Sequence, residues 1–442
     1  MTYLRKQTII LSTAALIALL CFASADAWAT ASTPELSDRS MPSSLLSLIE
    51  SAYQNNPGIA AARLEWAAAS ERVPQAESLP DPMFGVTYTP LPMEKEMGSR
   101  RLMFMASQMF PGAGKRGLLG DRASILSEAA RLKLDIAARD AITELKTSYA
   151  ELQYLQTAMS LTRRQREFVT RLADISVRDY AAGNATFLDL ASAQSQLAQI
   201  EYDLAVLEEL RRAEEARVNS LLGRDPETPV TAEAQIDVPA PDIRLEDLYH
   251  LLETGRQETM LDLLNERIGA VDVSLAHKVD APDMNVGVIY DTPGKFDDPM
   301  ARSMVRSTWA FTLEMNLPVW RRKNEAAKRE AERRLEASRL RTDRGLDTSR
   351  AALADAYFRM RTSARLVELY RNTLAPQADK AVETAEALYN SGELTFPGLI
   401  ESQSAWLNFN LALARARADL ARNTASVERL TGTVIPSAGG AK

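Results

Sequence analysis

Methionine is the most unevenly placed residue type in this 442-residue sequence. Of the 15 methionines, ten lie in or beside two short pairs of strand-like segments. They are Met83, Met93, Met97, Met103, Met105, Met109, Met284, Met300, Met304 and Met315. Thioether sulfur is a soft ligand that suits Cu(I), so the set could bind a soft metal ion. Methionine is also a flexible apolar filler, and the same set could simply pack a wall.

A second group with possible function is a cluster of charges at the end of a long helical segment, formed by Asp174, Arg178 and Asp179. In a symmetric oligomer these residues would repeat as charged rings, and charged rings select ions by sign. The cluster therefore predicts a gate. The alternative is an ordinary solvated helix end, because helix termini commonly carry charges.

No pattern in the sequence indicates catalysis. The two histidines, His250 and His277, are isolated, and no nucleophile elbow, His/Cys cluster or Gly-rich phosphate loop is present. We expect no enzyme activity, no cofactor and no resident metal site. The formal net charge is −7 with no strongly basic block, which argues against a nucleic-acid partner.

The first residues have the features of an export signal. Arg5 and Lys6 precede an apolar run over 8–23, and small-x-small cleavage sites follow. We predict a signal peptide over 1–27, which contains the only cysteine, Cys21, and then an extended leader over 28–44. The alternative is an uncleaved anchor. No later apolar run reaches the length of about 18 residues that a spanning helix needs, so a bilayer crossing would require strands.

One stretch of the sequence occurs twice. Residues 180–194 return 209 positions later as 389–403, with six identities. The identical pairs are Tyr180/Tyr389, Gly183/Gly392, Thr186/Thr395, Phe187/Phe396, Leu190/Leu399 and Gln194/Gln403. Each glycine supplies a left-handed helix stop, and each threonine supplies the N-cap of the next helix. Each copy therefore predicts a sharp corner between two helices.

The repeat organises the whole chain into two similar halves. The first spans 45–223, with a helix, a β-hairpin at 83–110, a long helix at 114–180 and a helix at 186–222. A linker over 224–243 leads to the second half at 244–432, with a helix, a β-hairpin at 284–317, a long helix at 319–389 and a helix at 395–430. A flexible tail over 433–442 follows. Each long helix would measure roughly 100 Å, which two shorter helices stacked end to end would match.

The last strand of the second hairpin alternates in character. Trp309, Phe311, Leu313, Met315 and Leu317 point to one face, and mostly polar residues point to the other. Ten residues with this alternation are typical of a lipid-facing barrel strand, although a half-buried soluble sheet alternates in the same way. Four strands cannot close a membrane barrel, and lipid does not tolerate open sheet edges. Several chains must therefore contribute; three chains would supply about 12 strands around a lumen.

These features together resemble the TolC-type outer-membrane efflux proteins. The corner pattern of that family is matched by Tyr180, Gly183, Phe187, Leu190 and Gln194 and by their second copies. The segment 107–115 resembles the family's strand-to-helix junction. The resemblance implies a mainly helical fold with a small β part. Two-repeat helical hairpins would form a periplasmic α-barrel, and four strands per chain would complete a trimeric outer-membrane β-barrel.

The resemblance also implies partners. In that family the corners form the inner end of the tunnel, where a periplasmic adaptor docks and joins it to an inner-membrane pump. The residues that we predict for docking are Gly183, Thr186, Phe187, Leu190, Gly392, Thr395, Phe396 and Leu399. The glycines and threonines could instead serve only the turn. Pro397 and Gly398 replace Leu188 and Asp189, so we expect the two corners to be non-equivalent.

The sequence therefore predicts a passive, homotrimeric exit duct in the outer membrane of a Gram-negative bacterium, extending into the periplasm. Its methionine-rich hairpins resemble the heavy-metal branch of the family, which suggests metal ions as cargo. The alternative is a soluble periplasmic coiled-coil scaffold or adaptor.

Overall fold

The computed structural model describes residues 43–89, 100–182, 186–230, 232–233, 241–293 and 307–435, most of them helical. These residues belong to one compact unit, Ser40–Lys442. The predicted signal peptide and most of the leader lie outside the described residues. Within the described part of the chain, no helix combines the length and the apolar character needed to cross a bilayer.

The first half contains five helices and two strands among its described residues. In chain order they are α1 (Ser43–Asn55), α2 (Pro57–Ser70), α3 (Arg72–Glu77), β1 (Met83–Tyr88), β2 (Arg100–Phe110), α4 (Lys115–Ala181) and α5 (Phe187–Leu221). The long helix α4 packs along α2, α3 and α5. The first predicted helix is therefore three helices, and the first of them begins inside the predicted leader.

The second half repeats this order. Its described elements are α6 (Leu245–Gly255), α7 (Gln257–His277), β3 (Met284–Pro293), β4 (Thr308–Met315), α8 (Arg321–Leu369), α9 (Ala375–Asn390) and α10 (Phe396–Thr431). A 3₁₀ turn, Lys278–Asp280, follows α7, and a π-helical turn, Tyr370–Leu374, separates α8 from α9. The predicted long helix at 319–389 is therefore interrupted.

The break between α1 and α2 lies where the start of α2 meets the end of α5. Asn56 caps α2 by accepting hydrogen bonds from Gly58 and Ile59, and its Nδ2 donates to the carbonyl of Leu221 at the end of α5 (2.8 Å). A proline at the first position of α2 is compatible with such a start, because its missing N–H has no helical partner there. Thus α2 continues the line of α5, and the two short helices together flank α4.

The second half has the same junction at Arg256. Gly432 ends α10 with a φ of +72°, and an added Cβ there would lie 2.6 Å from the carbonyl oxygen of Gly255. A side chain would collide with the neighbouring backbone, so glycine is required at this contact. The end-to-end stacking that the helix lengths predict is present in both halves.

A polar seam joins the two halves. Arg139 of α4 donates to Glu258 (2.8 Å) and Gln257 (2.8 Å) in the first turn of α7. Lys146 of α4 pairs with Glu428 of α10 at 2.8 Å, and both side chains are 13% exposed. Burial alone would raise the pKa of Glu258, but hydrogen bonding and charge from Arg139 outweigh it and hold that pKa below its usual value. The pair is therefore ionised at neutral pH and links the halves.

The strands form one antiparallel sheet in the order β1-β2-β3-β4, so β1 and β4 are its edges. The strand β4 ends at Met315, which leaves Leu317 outside the strand. The predicted tail also begins later than expected, because Ile435 is buried in a core cluster. The side chains of the edge strands β1 and β4 are mostly exposed.

Candidate functional site

The first corner is closed by a complete capping box. Thr186 precedes α5 in extended conformation, and its hydroxyl accepts a hydrogen bond from the Asp189 amide (3.3 Å). The Asp189 carboxylate in turn accepts from the Thr186 amide (3.1 Å) and hydroxyl (2.7 Å). Two of the amides that a helix start leaves unpaired are thereby satisfied. Gly183, predicted to stop α4, lies outside the described residues.

The second corner is built differently. Gly392 has the predicted left-handed backbone (φ +80°), and Thr395 occupies the N-cap position of α10. The Thr395 side chain makes no capping hydrogen bond, contrary to its predicted role. The reason is the sequence that follows: Pro397 has no N–H, and Gly398 at N3 has no carboxylate to complete a box.

This difference gives a prediction for the two threonines. Thr186→Ala should lower the free energy of unfolding by about 1 kcal/mol, because it removes a capping side chain. Thr395→Ala should lower it much less, since no capping bond is lost. Chemical denaturation of the purified protein, followed by circular dichroism, measures both. Equal effects of the two substitutions would contradict the assigned capping.

The two corners also differ in what covers them. Phe396 and Leu399 are buried against Leu172, Ala173 and Ala193 of the first half. Phe187 is 67% exposed in the single chain, and its neighbour Leu188 is 70% exposed. The remaining docking candidate of the first corner, Leu190, is partly buried. The second corner therefore forms a structural core, and the first presents apolar side chains to solvent.

The predicted gate residues are on the last turns of α4. Asp174 and Arg178 are exposed, and the Nε–H of Arg178 donates to the backbone carbonyl of Asp174 at 3.2 Å. Asp179 lies within α4, and its side chain is outside the described residues. The single chain thus places Asp174 and Arg178 together on an accessible surface without joining their charged groups.

One face of the sheet is mainly apolar, with Gln108 and Thr292 as its polar members, and we call it the apolar face. Trp309, Phe311, Leu313 and Met315 lie on it, with Phe311 81% exposed. Strand pairing adds Phe84, Val86, Tyr88, Leu102, Phe104, Ala106, Phe110, Met284, Val286, Val288 and Tyr290 to this face. The rings of Tyr290 and Trp309 pack against each other across β3 and β4, tilted by 41°, with centroids 4.7 Å apart. Leu317, beyond the strand, is 66% exposed.

Sequence analysis of β4 alone missed most of this face. The other three strands alternate less clearly, because methionines alternate with the aromatic residues of β2 and interrupt its apolar-polar pattern. The position of the aromatic residues could have identified the face. Side chains at alternate positions of a strand point to the same face, and Phe84, Tyr88, Phe104 and Tyr290 all occupy such positions in their strands.

The comparisons with known proteins agree with this geometry. The family model described as outer membrane efflux protein matches residues 48–224 and 276–433, which make up most of the sequence. The chain therefore belongs to the outer membrane efflux protein family. The comparison with curated proteins found no match.

Solved structures of membrane proteins share the fold. The outer membrane protein VceC from Vibrio cholerae is 17% identical, with a TM-score of 0.73 over 88% of this chain and 96% of that one. A membrane protein from Pseudomonas aeruginosa is 18% identical, with a TM-score of 0.76 over 89% and 93% of the respective chains. The Campylobacter jejuni CmeC outer membrane channel is 14% identical, with a TM-score of 0.73 over 90% and 87%.

These findings confirm the resemblance to TolC-type proteins and the predicted fold class, which is mainly helical with a small β part. Because the chain belongs to this family, it is an efflux protein of the outer membrane rather than an enzyme or a soluble scaffold.

Proposed function

We propose that three copies of this chain form the outer-membrane exit duct of a tripartite efflux system. The duct conducts substrate passively from a periplasmic adaptor and an inner-membrane pump to the exterior. Direction and energy come from the pump, and the duct supplies only a protected path through the outer membrane.

The observation that carries this proposal is that the sheet has open edges and an exposed apolar face. Among the described residues, its edge strands β1 and β4 do not pair with each other, and much of its apolar face is exposed. In lipid, unpaired backbone groups at an open edge cost several kcal/mol each, so the edges must pair with strands of other copies. Three copies give about 12 strands, enough for a lumen rather than a filled core.

The first corner supports the proposed adaptor contact. Phe187 and Leu188 are exposed apolar side chains at the tip of a helical hairpin, held there by the Thr186 capping box. Aromatic side chains are enriched at protein interfaces, and a rigid corner presents them at little entropic cost. We assign Phe396 and Leu399 a structural part in the second corner, where Gly392 and Thr395 make the turn.

The same end of the molecule contains the proposed gate. Asp174, Arg178 and Asp179 would repeat around the axis of a trimer as charged rings, which favour ions of one sign. A solvated helix end is the alternative for these residues. Heavy-metal ions are the cargo that we propose, because thioether sulfur suits soft ions and methionine is concentrated in the hairpins.

The assembly is tested by the mass of the protein extracted from membranes in detergent. We expect a stable trimer that fractionates with the outer membrane and forms conducting pores in planar bilayers. A monomer that is soluble without detergent would overturn the proposal.

Docking at the first corner is tested by Phe187→Asp, with Leu64→Asp as the matched control. Leu64 is 72% exposed on α2, against 67% for Phe187, and it lies in the helix that continues α5 away from the corner. We expect Phe187→Asp to retain the trimer but to lose export and capture of the adaptor at least tenfold. Leu64→Asp should retain both, and equal losses in the two variants would contradict docking at this corner.

A further inference from the structure

The methionines of the sheet are divided between its two faces. Their distribution differs from the one expected if methionine only filled space on the lipid-facing side. Met83, Met103, Met105 and Met109 lie on the face opposite the apolar face, whereas Met284 and Met315 lie on the apolar face. A filler role predicts methionine among the aromatic residues. Most of the described strand methionines are instead on the face that a closed barrel would turn to its lumen.

These four methionines form one contiguous patch, the methionine patch. Met83 pairs directly with Ser107, so Met105 and Met109 are its diagonal neighbours across β1 and β2. Diagonal neighbours in an antiparallel pair are about 7–8 Å apart at their Cα atoms, within reach of two long side chains. Met103 lies two residues from Met105 on the same strand, so each methionine has another beside it.

The centre of the patch contains a buried hydroxyl that lies between two glycines. Glycines occupy the cross-strand positions of Met105 and Ser107, Gly85 on β1 and Gly287 on β3. The Met105 side chain lies over Gly85, with its Cε 3.6 Å from where a Cβ would be. Ser107 is 7% exposed, and its hydroxyl has no hydrogen-bond partner among the described residues. A buried hydroxyl normally has a partner, so the Ser107 oxygen is available to a ligand of the patch.

The ligand chemistry follows from the donor set. Thioether sulfur is soft and uncharged, and it selects soft ions such as Cu(I) over hard ions that prefer oxygen. Among the described residues, no three His, Cys, Asp or Glu side chains come together as a metal site, so the patch differs from a site for zinc or calcium.

We propose that the methionine patch is a binding site for soft monovalent metal ions in the lumen of the outer-membrane barrel. The proposal rests on the proposed duct, because only a closed barrel turns this face to a lumen. Two or three of the four sulfurs hold the ion, and the Ser107 hydroxyl is an additional weak donor. In a trimer the patch occurs three times around the axis and gives a leaving ion several weak sites.

The test is binding of Ag⁺, a soft monovalent probe that needs no reductant, to the full-length protein in detergent. The fourfold variant Met83→Leu, Met103→Leu, Met105→Leu and Met109→Leu removes the patch. The matched control is Met284→Leu with Met315→Leu, which removes two methionines from the opposite face of the same sheet. Leucine has a similar volume to methionine, so packing is largely retained.

We expect equilibrium dialysis to show Ag⁺ binding that is weakened at least tenfold in the fourfold variant and unchanged within about twofold in the control. If the fourfold variant does not assemble, Met105→Leu with Met109→Leu is measured instead, with the same tenfold loss expected. Equal binding in the patch variant and the unaltered protein would overturn the site, as would Zn²⁺ binding as tight as Ag⁺ binding. Pore conductance of the same samples separates the outcomes: conducting pores without Ag⁺ binding refute the site and leave the duct intact.

Discussion

A protein that lacks Thr373 and carries Pro376→Ala should assemble as the unaltered protein does, whereas a protein that lacks Arg164 should not. Both deleted residues are exposed and lie at corresponding places in the two long helical segments. Only the second segment contains a π turn, Tyr370–Leu374, in which the Ala375 amide donates to the Tyr370 carbonyl. A π turn holds one residue more than an α turn, so removal of one residue converts it to regular helix.

The buried positions show that the π turn is an insertion relative to the first half. Upstream of it, equivalent buried residues are 208 positions apart; downstream they are 209 apart. The upstream pairs are Leu145/Leu353, Ser148/Ala356, Tyr149/Tyr357, Leu152/Met360, Leu155/Ser363 and Met159/Val367, and the downstream pairs are Val169/Ala378 and Ser176/Ala385. The extra residue of the second half therefore lies at the π turn, and the buried face continues in phase on both sides.

Pro376 accompanies the turn, and this is why the deletion includes its replacement. Proline in a regular helix lacks the amide hydrogen bond and collides with the carbonyl four residues earlier, at a cost of about 3 kcal/mol. The corresponding residue of the first half is Glu167, which fits a regular helix. Pro376→Ala alone is the control that separates the proline from the deletion.

In α4 no π turn is available to absorb a deletion. Loss of Arg164 would rotate the following part of the helix by about 100° and shift it by about 1.5 Å. Leu172 and Ala173 would then leave the core at the second corner. The buried Val169 would leave its position as well. Each large apolar side chain loses about 1.5–3 kcal/mol when it becomes exposed, so the corner would not form.

The measurement is the amount of detergent-resistant oligomer in the outer-membrane fraction. We expect near-normal amounts from the Thr373 deletion with Pro376→Ala, and a loss of at least tenfold from the Arg164 deletion. The insertion hypothesis fails if the Thr373 deletion is as damaging as the Arg164 deletion.

The repeated corners, the strand pairs and the end-to-end helices could be predicted from the sequence because each has a local signal. Gly392 requires a positive φ, Asn56 and Pro57 form a helix start, and β4 alternates with a period of two. The π turn was missed although Pro376 lies in the middle of the predicted helix at 319–389. The change in repeat spacing from Tyr149/Tyr357 to Tyr180/Tyr389 was a second available signal.

The unequal environments of the corners could not be predicted in the same way. Phe187 and Phe396 follow the same motif, and each ring packs edge-on against its tyrosine, at 6.2 and 6.3 Å between centroids. Tertiary packing distinguishes the two rings, because Phe396 is buried against Leu172, Ala173 and Ala193 of the first half while Phe187 is exposed in the single chain. Such packing has no counterpart in the local sequence.

The second large effect concerns the apolar face of the sheet. Phe311→Arg should prevent stable insertion, whereas Ala310→Arg should be tolerated. The two residues are adjacent in β4, both are exposed, and they point to opposite faces of the sheet. An arginine on the lipid side near the bilayer midplane costs about 2–4 kcal/mol per copy, and the cost recurs in every copy of an oligomer.

Position 310 has a different expected outcome because it faces the proposed lumen beside Ile289. An arginine there remains hydrated, and its three copies add a positive ring that should shift the ion selectivity of the pore towards anions. We therefore expect a tenfold or larger loss of outer-membrane oligomer for Phe311→Arg, and normal amounts with altered selectivity for Ala310→Arg. If Ala310→Arg failed to insert and Phe311→Arg inserted normally, the faces of the sheet would be assigned the wrong way round. The methionine patch would then face lipid, so this pair of substitutions also tests the orientation on which the metal site depends.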